Sequence, residues 1–235
     1  MRLFLAVLFV VLFARPAFAD FAAAKAALKQ RDYQAAFAAC KAEAESGDAH
    51  CQNLLGFLYA EGRGIHRDPA RAVRLFERAA AQGFAPAQDN LGRAYEIGLG
   101  VPKNPAKAAQ WYEKAVAQKN PQAENHLAIL YVEGEGVPRD PHRAADLLRR
   151  AALSGFPPAE LNLGLVLEKG RILPRDPRAA YIWFSIAAKS ASAPALRQRA
   201  EAAARGVARG ISPEARASAL SRALKWHPGA GDPTR

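Results

Sequence analysis

An all-α fold, a right-handed α-α superhelix (solenoid) of stacked antiparallel helix pairs, is predicted by three features of this 235-residue sequence. A pattern recurs every 36 residues through the middle of the chain, each copy holds two stretches of helical periodicity, and glycine and proline punctuate each copy at constant places. A unit of that length is one supersecondary element that covers its apolar face only by stacking on a neighbour.

The chain opens with MRLFLAVLFVVLFARPAFA, residues 1–19, which read as a secretory signal peptide. Arg2 is the charged start, Leu3 to Phe13 the apolar run, and the small Ala17 and Ala19 place cleavage after Ala19. That run is shorter than the roughly 20 residues of a spanning helix, so the mature chain is expected to be periplasmic or secreted and not membrane-spanning. Residues 20–46 are expected to form an N-terminal capping helix pair, FAAAKAALKQR followed by a stretch that matches the second half of a unit.

Four units are expected over residues 47–190. Leu55, Leu91, Leu127 and Leu163 mark the period, followed by Gly56, Gly92, Ala128 and Gly164 and, four residues past the leucines, by Tyr59, Tyr95 and Tyr131. In the second unit Ala87, Leu91, Ala94 and Tyr95 share one face of a first helix, which Gly98 ends because glycine tolerates a left-handed cap. Asn104, like Asp68, Asp140 and Asp176 in the other units, then precedes a proline, the N-cap and first-position signature of a second helix. Ala108, Trp111, Tyr112 and Ala115 give that helix its apolar stripe. The intervening GLGV therefore joins two helices and is no phosphate loop, which would follow a strand. Trp111, Trp183, Tyr112 and Phe184 fall at core spacing. Residues 191–228 read as a C-terminal capping pair, with Ser212 as an N-cap before Pro213, and residues 229–235 as a flexible tail.

The units LGFLYAEGRGIHRDPARAVRLFERAAAQG, LGRAYEIGLGVPKNPAKAAQWYEKAVAQK, LAILYVEGEGVPRDPHRAADLLRRAALSG and LGLVLEKGRILPRDPRAAYIWFSIAAKSA resemble Sel-1-like repeats, relatives of the tetratricopeptide repeat. The departures are Ala128 for glycine in the third unit, and Leu167 for tyrosine and Ile172 for the second loop glycine in the fourth. The resemblance implies an extended concave surface that holds peptides or partner proteins. Transferred from tetratricopeptide repeats, the groove positions are Asn53 and Phe57 in the first unit, Asp89, Arg93 and Glu96 in the second, Asn125 and Ile129 in the third, and Leu161, Leu165 and Glu168 in the fourth. The asparagines would bond a peptide backbone, the apolar members would take side chains or fill gaps between units, and Arg93 would pair with a carboxylate.

No catalytic or metal-binding pattern accompanies the repeats. His50, His66, His126, His142 and His227 are scattered, and the serines lie in no nucleophile motif. The expectation is a non-catalytic scaffold without cofactor, monomeric, binding another protein such as an envelope sensor or a wall-remodelling enzyme. The formal charge of +11 would suggest nucleic acid in a cytoplasmic protein, but export makes that partner unsuitable. Arg197, Arg199, Arg205, Arg209, Arg216 and Arg222 concentrate charge near the C-terminus, where they solvate helix faces or, as an alternative function, anchor the chain to anionic envelope polymers. A second alternative is an envelope hydrolase or β-lactam-binding protein, which some cysteine-rich members of this family are described as, although the regular cysteine pairs and a nucleophile motif are missing here. Cys40 and Cys51 could bridge in an oxidising compartment. Their different heights along neighbouring helices favour an unbridged, buried thiol pair.

Overall fold

A computed structural model describes residues 17–235, with side chains placed from Phe21 onward. The expected signal peptide lies for the most part outside the described residues. The described chain is twelve helices in sequence, paired by adjacency: α1 (Ala17–Lys29) and α2 (Tyr33–Ser46), α3 (Ala49–Glu61) and α4 (Pro69–Ala81), α5 (Ala85–Ile97) and α6 (Pro105–Ala117). Then follow α7 (Pro121–Glu133) and α8 (Pro141–Leu153), α9 (Pro157–Lys169) and α10 (Pro177–Ser190), and α11 (Pro194–Ala208) and α12 (Pro213–Lys225). From α1 through α11 each helix packs against its neighbour in sequence, so the antiparallel pairs stack into an all-α solenoid, but α12 packs on α10 and scarcely meets α11, so the expected C-terminal capping pair does not close on itself.

The second helices start where the Asx-Pro pairs stand. Asp68, Asn104, Asp140 and Asp176 accept the backbone N–H of Arg71, Lys107, Arg143 and Ala179 at 2.9–3.0 Å, meeting one of the helix's orphan donors. Proline fills the first helical position, where its missing N–H is no loss. Between the helices of the second unit, Gly100 takes φ +69° and its α-carbon lies against the Pro69 carbonyl of the previous unit; a Cβ there would stand 2.3 Å from that oxygen. In the fourth unit Ile172 replaces this glycine, and the residue does not adopt a left-handed backbone.

Within each unit the two helices close on a backbone-to-ring contact. A Cβ added at Gly56, Gly92 or Gly164 would lie 2.5–2.6 Å from an edge carbon of Phe76, Tyr112 or Phe184. In the third unit Leu148 occupies the aromatic position, and Ala128 replaces the glycine; both are buried. The fourth unit loses another pair together. Arg71, Lys107 and Arg143 place their cations 4.6–5.4 Å from the ring centroids of Tyr59, Tyr95 and Tyr131. Where Leu167 takes the tyrosine position, Ala179 takes that of the cation.

Tyr112, Phe184 and Trp183 are buried as the spacing predicts, whereas Trp111 is half-buried with Lys114 Nζ 3.8 Å from its ring centroid. Cys40 and Cys51 form a disulfide between α2 and α3, with Cα atoms 5.0 Å apart, contrary to the expectation of free thiols. Height counted from the helix ends misleads here because the contact face of α2 is Ala36, Cys40 and Ala44, all buried, so α3 lies close against its backbone. Nor do residues 229–235 hang free. Trp226 Nε1 donates to the Gly231 carbonyl at 2.8 Å, Arg222 donates to the carbonyls of Pro233 and Arg235, and the Trp226 ring packs edge-on to Trp183.

Gly92→Ala is expected to drive a methyl into the Tyr112 ring and to lower stability by about 1–3 kcal/mol, the usual effect of overpacking. Adding Tyr112→Leu, which copies the third unit's pairing, recovers part of the loss. Urea unfolding of the parent and both variants checks this; a single variant as stable as the parent would remove the ring as the reason for the glycine.

Candidate functional site

First helices of neighbouring units touch directly, α3 on α5, α5 on α7 and α7 on α9, while their second helices meet their counterparts scarcely or not at all. A stack whose first helices lie closer together curves toward them, so they line its inner side. Two rows of polar contacts tie this side together.

One row crosses from unit to unit. Asn90 Nδ2 donates to Asn53 Oδ1 and Asn162 Nδ2 to Asn125 Oδ1, each at 2.8 Å, and between them His126 Nδ1 lies 2.8 Å from Asp89 Oδ1. Every pair spans 37 residues, one period plus one. The other row joins the start of each first helix to the end of its own second helix. Gln82 Nε2 donates to Gln52 Oε1 at 3.0 Å and Gln118 Nε2 to Gln88 Oε1 at 2.8 Å; in the third unit Arg150 bonds Glu124, and in the fourth the Ser190 hydroxyl donates to Glu160 at 2.5 Å. Burial raises the pKa of Glu124 above the usual carboxylate range, while Arg150 pulls it the other way.

These rows separate the ten expected groove residues into three sets. Asp89, Asn125 and Leu161 are buried, with 2%, 4% and 3% of their surface exposed, so they serve contact between units and are not presented to a partner. The position two before each leucine therefore points along the stack, toward the next unit. Asn53, Phe57 and Arg93 come together around a hollow of about 380 Å³ between α1, α3 and α5, where Phe21, His50 and Phe84 also stand in ring contact. Ile129 and Leu165 share a second hollow of about 370 Å³ with Val132 and Asn162, rimmed by Arg139, Lys169 and Arg171. Glu96 and Glu168 join neither. Glu96 accepts the Tyr112 hydroxyl, and burial together with this carboxylate pushes that phenol well above its ordinary pKa.

Sequence reasoning missed Asn90, His126 and Asn162, the partners one residue further on. Their signal was present, since three successive units carry a polar residue at that same position of the first helix, with Leu54 in the first unit facing no earlier repeat. It went unread because a helical wheel does not show which residue of one unit meets which residue of the next. Among the described residues Arg93 is exposed and makes no ion pair or side-chain hydrogen bond, whereas Arg63 lies 5.5 Å from the Phe57 ring centroid. Of the C-terminal arginines, all exposed, Arg197 donates to the Ala191 carbonyl, Arg222 to the tail, and Arg205 pairs loosely with Glu201 at 3.8 Å. Arg199, Arg209 and Arg216 project without partners among the described residues. No group of three or more His, Cys, Asp or Glu among the described residues is placed to hold a metal ion.

The family model of the Sel1 repeat matches residues 49–84, 85–120, 121–156 and 157–192, each window one helix pair and together more than half of the chain. The chain belongs to the Sel1 repeat family. A Sel1 repeat protein from Oxalobacter formigenes is similar in structure at a TM-score of 0.60 and 28% identity, over 89% of this chain and 94% of that one. A Sel1 repeat protein from Klebsiella pneumoniae subsp. pneumoniae shares the fold at a TM-score of 0.56 and 18% identity, over 82% of this chain and 93% of the other. No curated protein matches the chain in sequence. Within the Sel1 units, the two polar rows are thus stacking devices, and the two hollows lie beside them on the inner side.

Asn125→Ala strips Asn162 of its acceptor inside the stack and is expected to lower stability by about 1–3 kcal/mol. Arg93→Ala, at an exposed position, is expected to change it by no more than about 0.5 kcal/mol. Thermal unfolding of the two variants separates the stacking residue from the exposed one; equal losses would erase the distinction.

Proposed function

We propose that the protein is a non-catalytic, exported scaffold that binds an extended segment of a partner protein along the inner side of its Sel1 stack. One observation carries this reading: the exposed, uncommitted guanidinium of Arg93 shares a hollow with the half-buried Phe57 ring and the amides of Asn53 and Asn90. Such a set offers a charge-assisted bond to a carboxylate, an apolar seat beside it, and amide groups for a peptide backbone. Because the helices that hold these groups are tied to each other and, at their starts, to their own second helices, the site is formed before the partner arrives, which limits the ordering entropy that binding must overcome.

Export rests on the signal-peptide pattern of residues 1–19, and it agrees with the Cys40–Cys51 disulfide, a bond kept in oxidising compartments. Among the described residues no helix is long and apolar enough to cross a membrane. An envelope sensor or a wall-remodelling enzyme is the class of partner proposed, recognised through an acidic residue next to an apolar one.

The test is site-specific crosslinking. Mature protein from Asp20 carrying a photo-crosslinker at Phe57, and a control with it at the exposed Gln110 on the second helix of the next unit, is exposed to an envelope extract, and captured proteins are identified. Capture at Phe57 alone, with affinity for the purified partner falling about tenfold or more in Arg93→Ala as one charge-assisted bond is lost, is the expected result. Equal, salt-sensitive capture at both positions would replace the groove by the basic surface of Arg199, Arg209 and Arg216.

A further inference from the structure

Glu160 is the largest departure from the internal symmetry of the stapling rows. It is fully buried in the first turn of α9, and its Oε1 is a buried side-chain oxygen without any hydrogen-bond partner. The equivalent residues show what that atom's place requires. Gln52 and Gln88 each use their amide oxygen to accept from the end of their own second helix, and their amide nitrogen to donate to a carbonyl eight residues earlier, Ala44 at 3.1 Å and Ala80 at 3.4 Å. In Glu160 one oxygen, Oε2, already accepts from Ser190, so Oε1 is left with the role of the sister units' donor nitrogen, and the 36-residue register makes the Ala152 carbonyl the counterpart of those of Ala44 and Ala80. A carboxylate has no proton to give there; a carboxylic acid has one.

We propose that Glu160 is held as a neutral acid whose Oε1–H donates to the Ala152 carbonyl, and that its deprotonation loosens the joint between the third and fourth units. The neutral acid copies a glutamine. It sews the end of α8, through α9, to the end of α10, as Gln88 sews α4 to α6. The ionised form would set a bare oxygen toward a carbonyl oxygen in a buried site, a repulsion that the fold relieves by admitting water or by opening.

The cation that rescues the other acidic staple is absent. Glu124 has Arg150; one period later that position is the buried Ile186. Among the described residues no charged group on the helices packed around α9 makes an ion pair or hydrogen bond with Glu160; Arg199 of α11 is exposed to solvent, and others are held elsewhere. On α8, Arg149 pairs with Asp146 and Arg150 with Glu124 of α7; on α10, Lys189 donates to the Leu224 carbonyl. His126 of α7 meets Asp89, Arg197 of α11 meets the Ala191 carbonyl, and His227 beyond α12 turns to the Pro228 carbonyl. In agreement, burial raises the pKa of Glu160 to about 7, with only the Ser190 hydroxyl acting against it and no contribution from a charged neighbour. A folded-state pKa above the unfolded value means that the folded chain binds the proton more tightly. The stabilisation is therefore complete below the unfolded pKa, near 4.5, and is lost as pH rises through about 7.

Glu160→Gln supplies the donor at every pH and is the deciding variant. The midpoint of urea unfolding of mature protein and variant is measured from about pH 5 to about pH 8.5, where the variant's advantage in folding constant should grow by up to about tenfold per unit as far as pH 7 and then level off. Carbon NMR of the wild-type side-chain carboxyls, assigned through their own side-chain carbons, should show Glu160 titrating near neutrality whether or not the variant folds. A pH-independent difference between the proteins, or a Glu160 carboxyl that is ionised by about pH 5.5, would overturn the proposal. Partner capture at Phe57 plays no part in either readout, so this proposal and the groove reading fail separately.

Discussion

The stack depends on how closely the two helices of a unit approach, and that distance is set where an aromatic ring lies on a glycine backbone. With Tyr112 against Gly92, no Cβ separates the helices, and the ring covers backbone that would otherwise face a void. The third unit shows that the constraint is a matter of volume: a smaller Leu148 leaves room for the methyl of Ala128. From this packing follow the burial of the small residues around it, Ala108 and Ala115 among them, and the positions of the helix ends. Those ends then fall where the Gln52–Gln82 and Gln88–Gln118 bonds can form.

Polar groups inside such a stack serve registry more than net stability. A hydrogen bond between buried amides contributes little beyond the water it replaces, yet a misregistered unit would leave those amides unpaired at a much larger penalty. Asn53–Asn90, Asp89–His126 and Asn125–Asn162 therefore hold each first helix to its neighbour with one permitted offset. The same economy leaves part of the inner side open between the units. Residues that a helical wheel places on the inner side are divided between holding neighbouring units and facing solvent, and Asn53, which accepts from Asn90 and also lines a hollow, does both.

The ends of the stack are held by other means. The disulfide joins α2 to α3, tying the first described helix pair to the stack that follows it. At the other end the last helix is covered by its own tail, with Trp226 against Trp183 and Arg222 gathering the final carbonyls. Leu220 and Leu224 stay exposed on α12, one turn apart.

By itself the sequence determined the fold class, the helix pairs, their Asx-Pro starts and their glycine ends, because each of these is a local property repeated four times and so readable against its own copies. It also displayed the three departures, Ala128, Leu167 and Ile172, without their reasons. Only the tertiary structure decided that Leu148 and Ala179 accompany the first two, since those contacts join different helices. The site divided in the same way. Phe57 and Arg93 were legible as inner-side residues from their place in the first helix, whereas Asp89 and Asn125 became stacking residues only when the twist between units brought His126 and Asn162 to them. The small contact face of α2, Ala36, Cys40 and Ala44, likewise let α3 lie close enough for Cys40 to reach Cys51. Helical periodicity specifies the face on which a residue lies, but the rotation from one unit to the next arises from the packing of many side chains at once, and on that rotation depends whether a face meets solvent or a neighbour.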